Sequence, residues 1–511
     1  MKLFLGDVIM MGSLFIGATG MKTHSTGLGT VSNNIANANT IGYKQQQVVF
    51  QDLFSQDLAI GSTGSQGPNQ AGMGAQVGSV RTIFTQGAFE PGNSVTDLAI
   101  GGKGFFQVTL EDKVHYTRAG NFRFTQDGFL NDPSGFTLMG SRISNNPNIK
   151  KETLEPIQLD FNDPTVAKSP AKTSTALNAV VNLGDSTDKT QSEANPYFAL
   201  LESWKGNGTP PISTSNYSYA QPMRVYDQQG NSHDITVYFD GAPSSTGSKT
   251  FEYLVAMNPS EDGSAASGTD SAGLLMSGTM TFSSNGELKN MTAFTPTGSA
   301  TKDLNAWQPA PLVNGLPQFS ANFVGAGIQP LTLDFGIKSQ QNMWAGAPAS
   351  AAAIGTDIGK LPSMMPIQTS SGNSTARNGS SSTRRYSQDG YPQGDLVDVT
   401  ITSEGKLQGK YSNSQVVDFY NIPLARFTSE DGLRREGNNH YSATLDSGGP
   451  EFGLPGTSNY GKLSVNQLET SNVDMSREMV NMIIIQRGFQ MNSKSVTTAD
   501  TMLQKALELK R

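Results

Sequence analysis

Two proline-free stretches with a seven-residue apolar repeat stand at opposite ends of this chain. From Ser13 to Ala38, Leu14, Met21, Leu28 and Ile35 recur every seven positions, and Gly17, His24, Val31 and Ala38 form a second row three residues on. From Met475 to Arg511 the repeat is Met475, Met482, Phe489, Val496 and Leu503. A stripe of this kind seeks a partner helix. The N-terminal stretch also carries Gly17, Gly20, Gly27 and Gly29, each costing a helix about 1 kcal/mol relative to alanine, so that helix is not expected to stand alone. The two stripes are expected to pair with each other, outside the main body. In the C-terminal stretch the companion row, Met479, Gln486, Ser493, Asp500 and Leu507, is apolar only at its ends. Ser471 and Asn472 are its expected N-caps.

What lies between reads as strands and turns. Asp127-Gly128, Asn285-Gly286 and Glu404-Gly405 each sit between strand-like flanks, where glycine and asparagine accept the positive φ of a hairpin turn. Met223 to Phe239 reads as two strands around a polar turn. The stretches 258–273 and 369–383, rich in Ser, Gly, Thr and Asn, are expected to be exposed loops or linkers, the second being the return crossing between domains. The fold class is therefore mainly β with paired terminal α-helices, the β-rich domains nested between coiled-coil-like ends.

At 511 residues the chain is long enough for about three domains. The net charge is −7, with 36 Lys and Arg against 43 Asp and Glu, so no basic surface for nucleic acid is implied. The absence of cysteine excludes disulfides and thiolate chemistry. The start, MKLFLGDVIMMGSLFIGATGM, superficially resembles a secretion signal. Asp7 interrupts its apolar run, no A-x-A site follows, and the run is too short to span a bilayer.

No catalytic constellation emerges. His24, His115, His233 and His440 lie far apart in the sequence, with no ligand spacing among them. Gly456 to Leu463 nearly fits a phosphate-binding loop, but Leu463 stands where a hydroxyl residue is required, and Gly101 to Val108 lacks the third glycine of a dinucleotide fingerprint. No enzymatic activity, metal or cofactor is expected.

The segment SNNIANANTIGYK, Ser32 to Lys44, places Asn33, Asn34, Asn37 and Asn39 at the end of the first stripe. Their side-chain amides can satisfy carbonyls left open at a helix end, and Gly42 is a natural terminator. A polar loop after any helix would carry the same residues.

In combination, these segments resemble the bacterial flagellar axial proteins of rod and hook, most closely the flagellar hook proteins. NNIANANTIGYK is similar to their N-terminal signature, and DLAIGGKGFFQV (Asp97 to Val108) and YTRAGNFRFTQDGFL (Tyr116 to Leu130) to the blocks that follow. Ser387 to Gln415, LARF (Leu424 to Phe427) and GLRREGNNHY (Gly432 to Tyr441) resemble the C-terminal blocks, and Leu468 to Leu507 the closing helix. Family members usually start only a few residues before the position of Leu14; here about ten more precede it, which makes Met10 or Met11 an alternative start to Met1.

The resemblance implies a homopolymer: a structural subunit of the hook, the flexible joint that transmits torque from rod to filament. It implies an extracellular place, type III export without a cleaved signal, and contacts with rod, hook-cap and hook–filament junction proteins and the export apparatus, with no membrane insertion. It implies an inner helical domain of 1–44 with 468–511, a middle β-rich domain of 45–144 with 384–467, and an outer β-rich domain of 145–383 made of one or two subdomains. The expected assembly interface is Leu14, Met21, Leu28, Ile35, Met482, Phe489, Val496 and Leu503, and the helix-end signature is Asn33, Asn34, Asn37, Asn39 and Gly42. Gln486, Ser493 and Asp500 are expected either to ease sliding between neighbours or to face a hydrated channel. The alternatives are a distal rod subunit and a secreted β-rich adhesin or glycan-binding protein.

Overall fold

The computed structural model describes residues 2–57, 70–143, 154–184, 188–370, 372–457 and 459–508. The expected domain boundary at Asn145 lies outside them. The chain divides into two compact units, one made of 1–167, 396–411 and 415–511, the other of 168–395 with 412–414.

In the first unit the chain opens and closes with a long helix. The N-terminal helix runs Lys2–Ala36 and the C-terminal helix Met475–Glu508, and they pack on each other. The cap of the second helix differs from expectation. Asp474 Oδ1 accepts the amides of Ser476 (2.9 Å) and Arg477 (3.2 Å), placing a carboxylate at the positive end of the helix. Asn472 is used elsewhere, because its amide reaches the carbonyls of Ile83 and Thr85 at 2.8 and 3.1 Å.

The body of this unit is an antiparallel sheet that interleaves early and late sequence. Thr137–Arg142 pairs with Phe106–Leu110 on one side and, through Ser141 and Arg142, with Val416–Asn421 on the other; Lys113–Thr117 pairs with His440–Ser442. The strands alternate or run apolar because one face closes over Leu98, Ile100, Phe106, Val108, Phe122, Leu130, Leu138, Leu407, Ile422 and Leu424, all essentially unexposed. The expected hairpins form at Gly128 and Gly405, whose φ values of +79° and +81° few other residues adopt.

The second unit packs a core between two sheets and has a second apolar cluster around Phe198, Trp204, Leu254 and Trp307. Tyr219–Tyr226, Ser232–Ala242, Ser248–Met257 and Leu274–Ser283 make an antiparallel meander, with the Asn285-Gly286 hairpin on its last strand. Leu316–Phe323, Gly327–Asp334, Ala176–Asn182 and Ser382–Gln388 form the facing sheet, Ala176–Asn182 lying parallel to Gly327–Asp334. Val225, Val237, Phe239, Tyr253, Phe319, Leu331 and Phe335 fill the space between.

One loop expectation is corrected here. The segment 258–273 is a half-exposed loop, pinned where buried Asp262 accepts the amides of Ser264 and Gly273 at 2.8 Å and where Ala266 and Ala272 are buried. The segment 369–383 is not the return crossing. Thr375 bonds across to Val181 and Leu183, holding the segment inside the second unit, and the chain re-enters the first at 395/396.

Candidate assembly site

The two terminal helices meet along their glycines. A β-carbon placed on Gly17 would stand 2.6 Å from Val496 Cγ2, one on Gly20 2.7 Å from the Asn492 side chain, one on Gly27 3.4 Å from Ile485 Cδ1, and one on Gly488 2.7 Å from the His24 ring. Asn34 meets Glu478 at the far end. Each step up one helix is matched by an equal step down the other, so the pair is antiparallel. Glycine lets two backbones approach where any side chain would hold them apart. The glycines cost each helix propensity and most return it as close packing; Gly12 and Gly29, with nothing within 4 Å of their notional β-carbons, have no such contact.

This places the sequence-derived interface residues beside the seam. Leu14, Met21, Leu28 and Ile35 are half-buried, as are Met482, Val496 and Leu503, while Phe489 is more open, at 38%. Of these eight, Val496 is the one that lies against a seam glycine. In the companion row, Gln486 and Asp500 are exposed and Ser493 is half-buried. The outer face of the C-terminal helix is apolar and open: Met479, Val480, Ile483, Ile484 and Met491 are 51–74% exposed. That is unusual for a lone soluble helix and marks a surface made to be covered. Beside the seam, Gly27, Val31, Phe50, Ile484 and Ile485 line a groove of about 400 Å³.

At its root the helix pair is locked by buried polar groups. Asn34, fully buried, uses its amide as a short strand would: Oδ1 accepts the Gln46 amide at 2.9 Å and Nδ2 donates to the Gln46 carbonyl at 2.8 Å and to Glu478 Oε2 at 3.2 Å. The Tyr43 hydroxyl donates to the same Oδ1 at 3.1 Å. Asn37 is the residue that closes the helix end, its amide reaching the Asn33 carbonyl at 2.9 Å. Asn33 and Asn39 are exposed. Gly42 turns the chain at φ +69°, its notional β-carbon 2.6 Å from the Ala119 nitrogen, and its own amide donates to the Glu469 carbonyl at 2.8 Å.

Two residues on, Lys44 lies wholly inside the protein with Nζ 2.6 Å from Glu469 Oε1 and 2.8 Å from the Thr85 carbonyl. The Gly87 amide donates to the same Glu469 oxygen at 2.9 Å, and Arg118, also buried, stands 3.7 Å from the other. Burial pulls the Lys44 ammonium below its ordinary pKa, against the opposing pull of Glu469. Two buried cations thus share one carboxylate. Sequence reasoning missed this junction entirely, as it missed the pairing of His440 Nε2 with Asp132 Oδ2 at 2.7 Å and the contact of His440 with His115 at 6.2 Å between ring centres. Among the described residues no His, Asp and Glu group could hold a metal ion, and no helix is long and apolar enough to cross a membrane.

The chain is mainly β, and its two ends join into one antiparallel helical stalk with an open apolar face. Family models match in chain order: the flagellar basal body rod protein family at 14–44, the flagellar hook protein FlgE/F/G D1 domain at 99–167, the flagellar basal body protein FlaE D2 domain at 194–391, and the flagellar basal body rod FlgEFG protein C-terminal family at 466–509. The flagellar hook protein FlgE of Treponema pallidum is 29% identical over 98% of this chain and 100% of its own length, and that of Salmonella typhimurium 29% over 96% and 98%. The crystal structure of Helicobacter pylori flagellar hook protein FlgE2 covers 75% of this chain at 15% identity, with a TM-score of 0.41. The chain belongs to the flagellar hook protein family and is a structural subunit of the hook.

Proposed function

We propose that the antiparallel helix pair is the polymerising element of this subunit, and that hook growth covers its open apolar face with copies of the same chain. The observation that carries this reading is the division of labour on the C-terminal helix. One face is spent on the glycine seam, and the opposite face presents Met479, Ile483, Ile484 and Met491 to the surroundings. Covering such side chains contributes about 1.5–3 kcal/mol each. The helix pair, 1–44 with 468–511, forms the inner wall of the polymer, and the β-rich residues between them build its outer layers. The subunit works as a flexible joint without catalysis and meets rod, hook-cap and junction proteins only at the ends of the polymer.

The helix pair argues against an adhesin, which has no use for an open apolar stalk. A distal rod subunit shares the stalk, but the meander of the second unit falls within the match at 194–391, which favours the hook. Deleting the gene distinguishes these outcomes. Cells with complete rods and no hooks or filaments are expected. Truncated rods would point to the rod subunit, and normal motility would overturn both.

A further inference from the structure

Two carboxylates face each other inside the second unit. In the register of Ser232–Ala242 with Ser248–Met257, Asp240 is directly opposite Glu252, and neither is exposed. Directly opposed residues hold their β-carbons about 4.5–5.5 Å apart, and like charges there repel. The segment 188–204 lies over this face and is tied to both acids. The amides of Lys189 and Thr190 donate to Asp240 Oδ2 at 2.7 and 2.8 Å, and that of Leu200 to the two Glu252 oxygens at 3.2 and 3.1 Å. The segment brings a third acid, Asp188. Its Oδ1 and that of Asp240 are both buried without a hydrogen-bond partner. Around them are Phe198, Leu200, Ala242 and Leu254.

The Thr250 hydroxyl, on the Glu252 face of its strand, is buried without a hydrogen-bond partner, and the charged groups nearby point elsewhere. The Lys189 ammonium donates to the Tyr217 carbonyl at 3.0 Å, Glu202 accepts from Asn195 at 2.8 Å, and Lys249, an odd number of residues from Glu252, projects from the opposite face of its strand. Burial raises Tyr238 above the ordinary phenol value, and it stays neutral in this range.

We propose that Asp240 and Glu252 share one proton, that Asp188 takes up a second as the medium acidifies, and that these protons clamp the 188–204 segment onto the sheet. A carboxyl O–H on Glu252 supplies the donor that Asp240 Oδ1 lacks, and neutral acids remove the repulsion. In the other direction Asp188 releases one proton to solvent, and its buried Oδ1 is fully hydrated only if the segment lifts. Burial, then the Asp240 charge, raises Asp188 to about 6, and burial raises Glu252 well above the ordinary carboxylate range. An acid with a raised folded-state pKa favours the closed form fully below its ordinary value, and that stabilisation is lost as pH rises through the raised one. The clamp therefore loosens between about pH 4 and 7, by up to tenfold for each pH step in that window, less the screening that the partial exposure of Asp188 allows.

Peptide-resolved hydrogen exchange of the full chain, corrected for the intrinsic rate, tests this. Protection over 189–204 is expected to fall about tenfold from pH 5 to 7.5 while that of 219–242 holds, and Asp188→Asn should remove the dependence. Constant protection in the wild type, or an unchanged dependence in Asp188→Asn, overturns the clamp. Infrared spectra of chain labelled with carbon-13 glutamate give an independent reading. A protonated glutamic acid carbonyl is expected at pH 7, and its absence would overturn the shared proton.

Discussion

Replacing single glycines by alanine separates a packed seam from a merely weak helix, because the two readings predict opposite signs. Alanine gains about 1 kcal/mol of helix propensity over glycine. At Gly29, where a β-carbon meets nothing within 4 Å, that gain is kept, and Gly29→Ala should lower the critical concentration for polymerisation about fivefold. At Gly17 the added carbon falls 2.6 Å from Val496 Cγ2 and 3.3 Å from the Asn492 carbonyl. Neither can move aside easily, since one belongs to a side chain stiff at χ1 and the other is backbone. Overpacking of this kind costs about 1–3 kcal/mol, which cancels or exceeds the propensity gain. Gly17→Ala is therefore expected to need about 5- to 150-fold more subunit than Gly29→Ala before polymer appears. Gly20→Ala falls between them, because the Asn492 side chain it meets can swing away. Sedimentation of purified full-length protein over a concentration series reads this directly. If Gly17→Ala lowers the critical concentration as much as Gly29→Ala, the helices do not meet at Gly17 and the seam is wrong.

Three further outcomes follow from the same geometry. Glu469→Ala leaves Lys44 and Arg118 buried without their shared carboxylate and should cost about 3–5 kcal/mol in denaturant unfolding of the first unit; a loss below 1 kcal/mol would mean water reaches the junction. Phe489→Asp and Leu28→Asp should leave both β-rich units folded by circular dichroism and abolish polymer, since a charge in the covered seam is uncompensated; polymer of wild-type yield from either would place that residue in solvent. Asp389 is partly buried, which alone would raise its pKa, but the amides of Thr175 and Ala176, the Thr175 hydroxyl and Lys172 hold it at about 2. A depressed acid stabilises above its ordinary value near 4, and that stability is lost as pH falls toward 2. Asp389→Asn should thus cost about 1–2 kcal/mol at pH 7, discounted for exposure, and flatten the acid limb of the second unit's unfolding curve, which an unchanged limb would contradict.

The stalk was legible in the sequence because a seven-residue period survives in any helix that buries one side. Which side it buries was not. Hydrophobic spacing favoured Leu14, Met21, Leu28 and Ile35, which are half-buried beside the contact, whereas the intramolecular contact itself runs along glycines that carry no hydropathy. Gly17, Gly20 and Gly27 against Gly488 were the available signal, read instead as a propensity cost. The hairpins at Gly128, Gly286 and Gly405 were legible because positive φ restricts the residue type. Lys44 and Glu469 were not, being 425 positions apart, and nothing local distinguishes a buried lysine from a solvated one. The asparagines fell between these cases. Their place at the helix end followed from their chemistry, but Asn34 bridging Gln46 and Glu478 required the fold.

The most direct test of the account is a helical reconstruction by electron microscopy of the polymer that the purified full-length chain forms at high concentration. The predicted result is a hollow tube whose inner wall is the antiparallel pair of Lys2–Ala36 and Met475–Glu508, with Met479, Ile483, Ile484 and Met491 covered by neighbouring copies. A polymer that leaves those side chains facing solvent, or that is held together by the second unit with the helices unpaired, would contradict it.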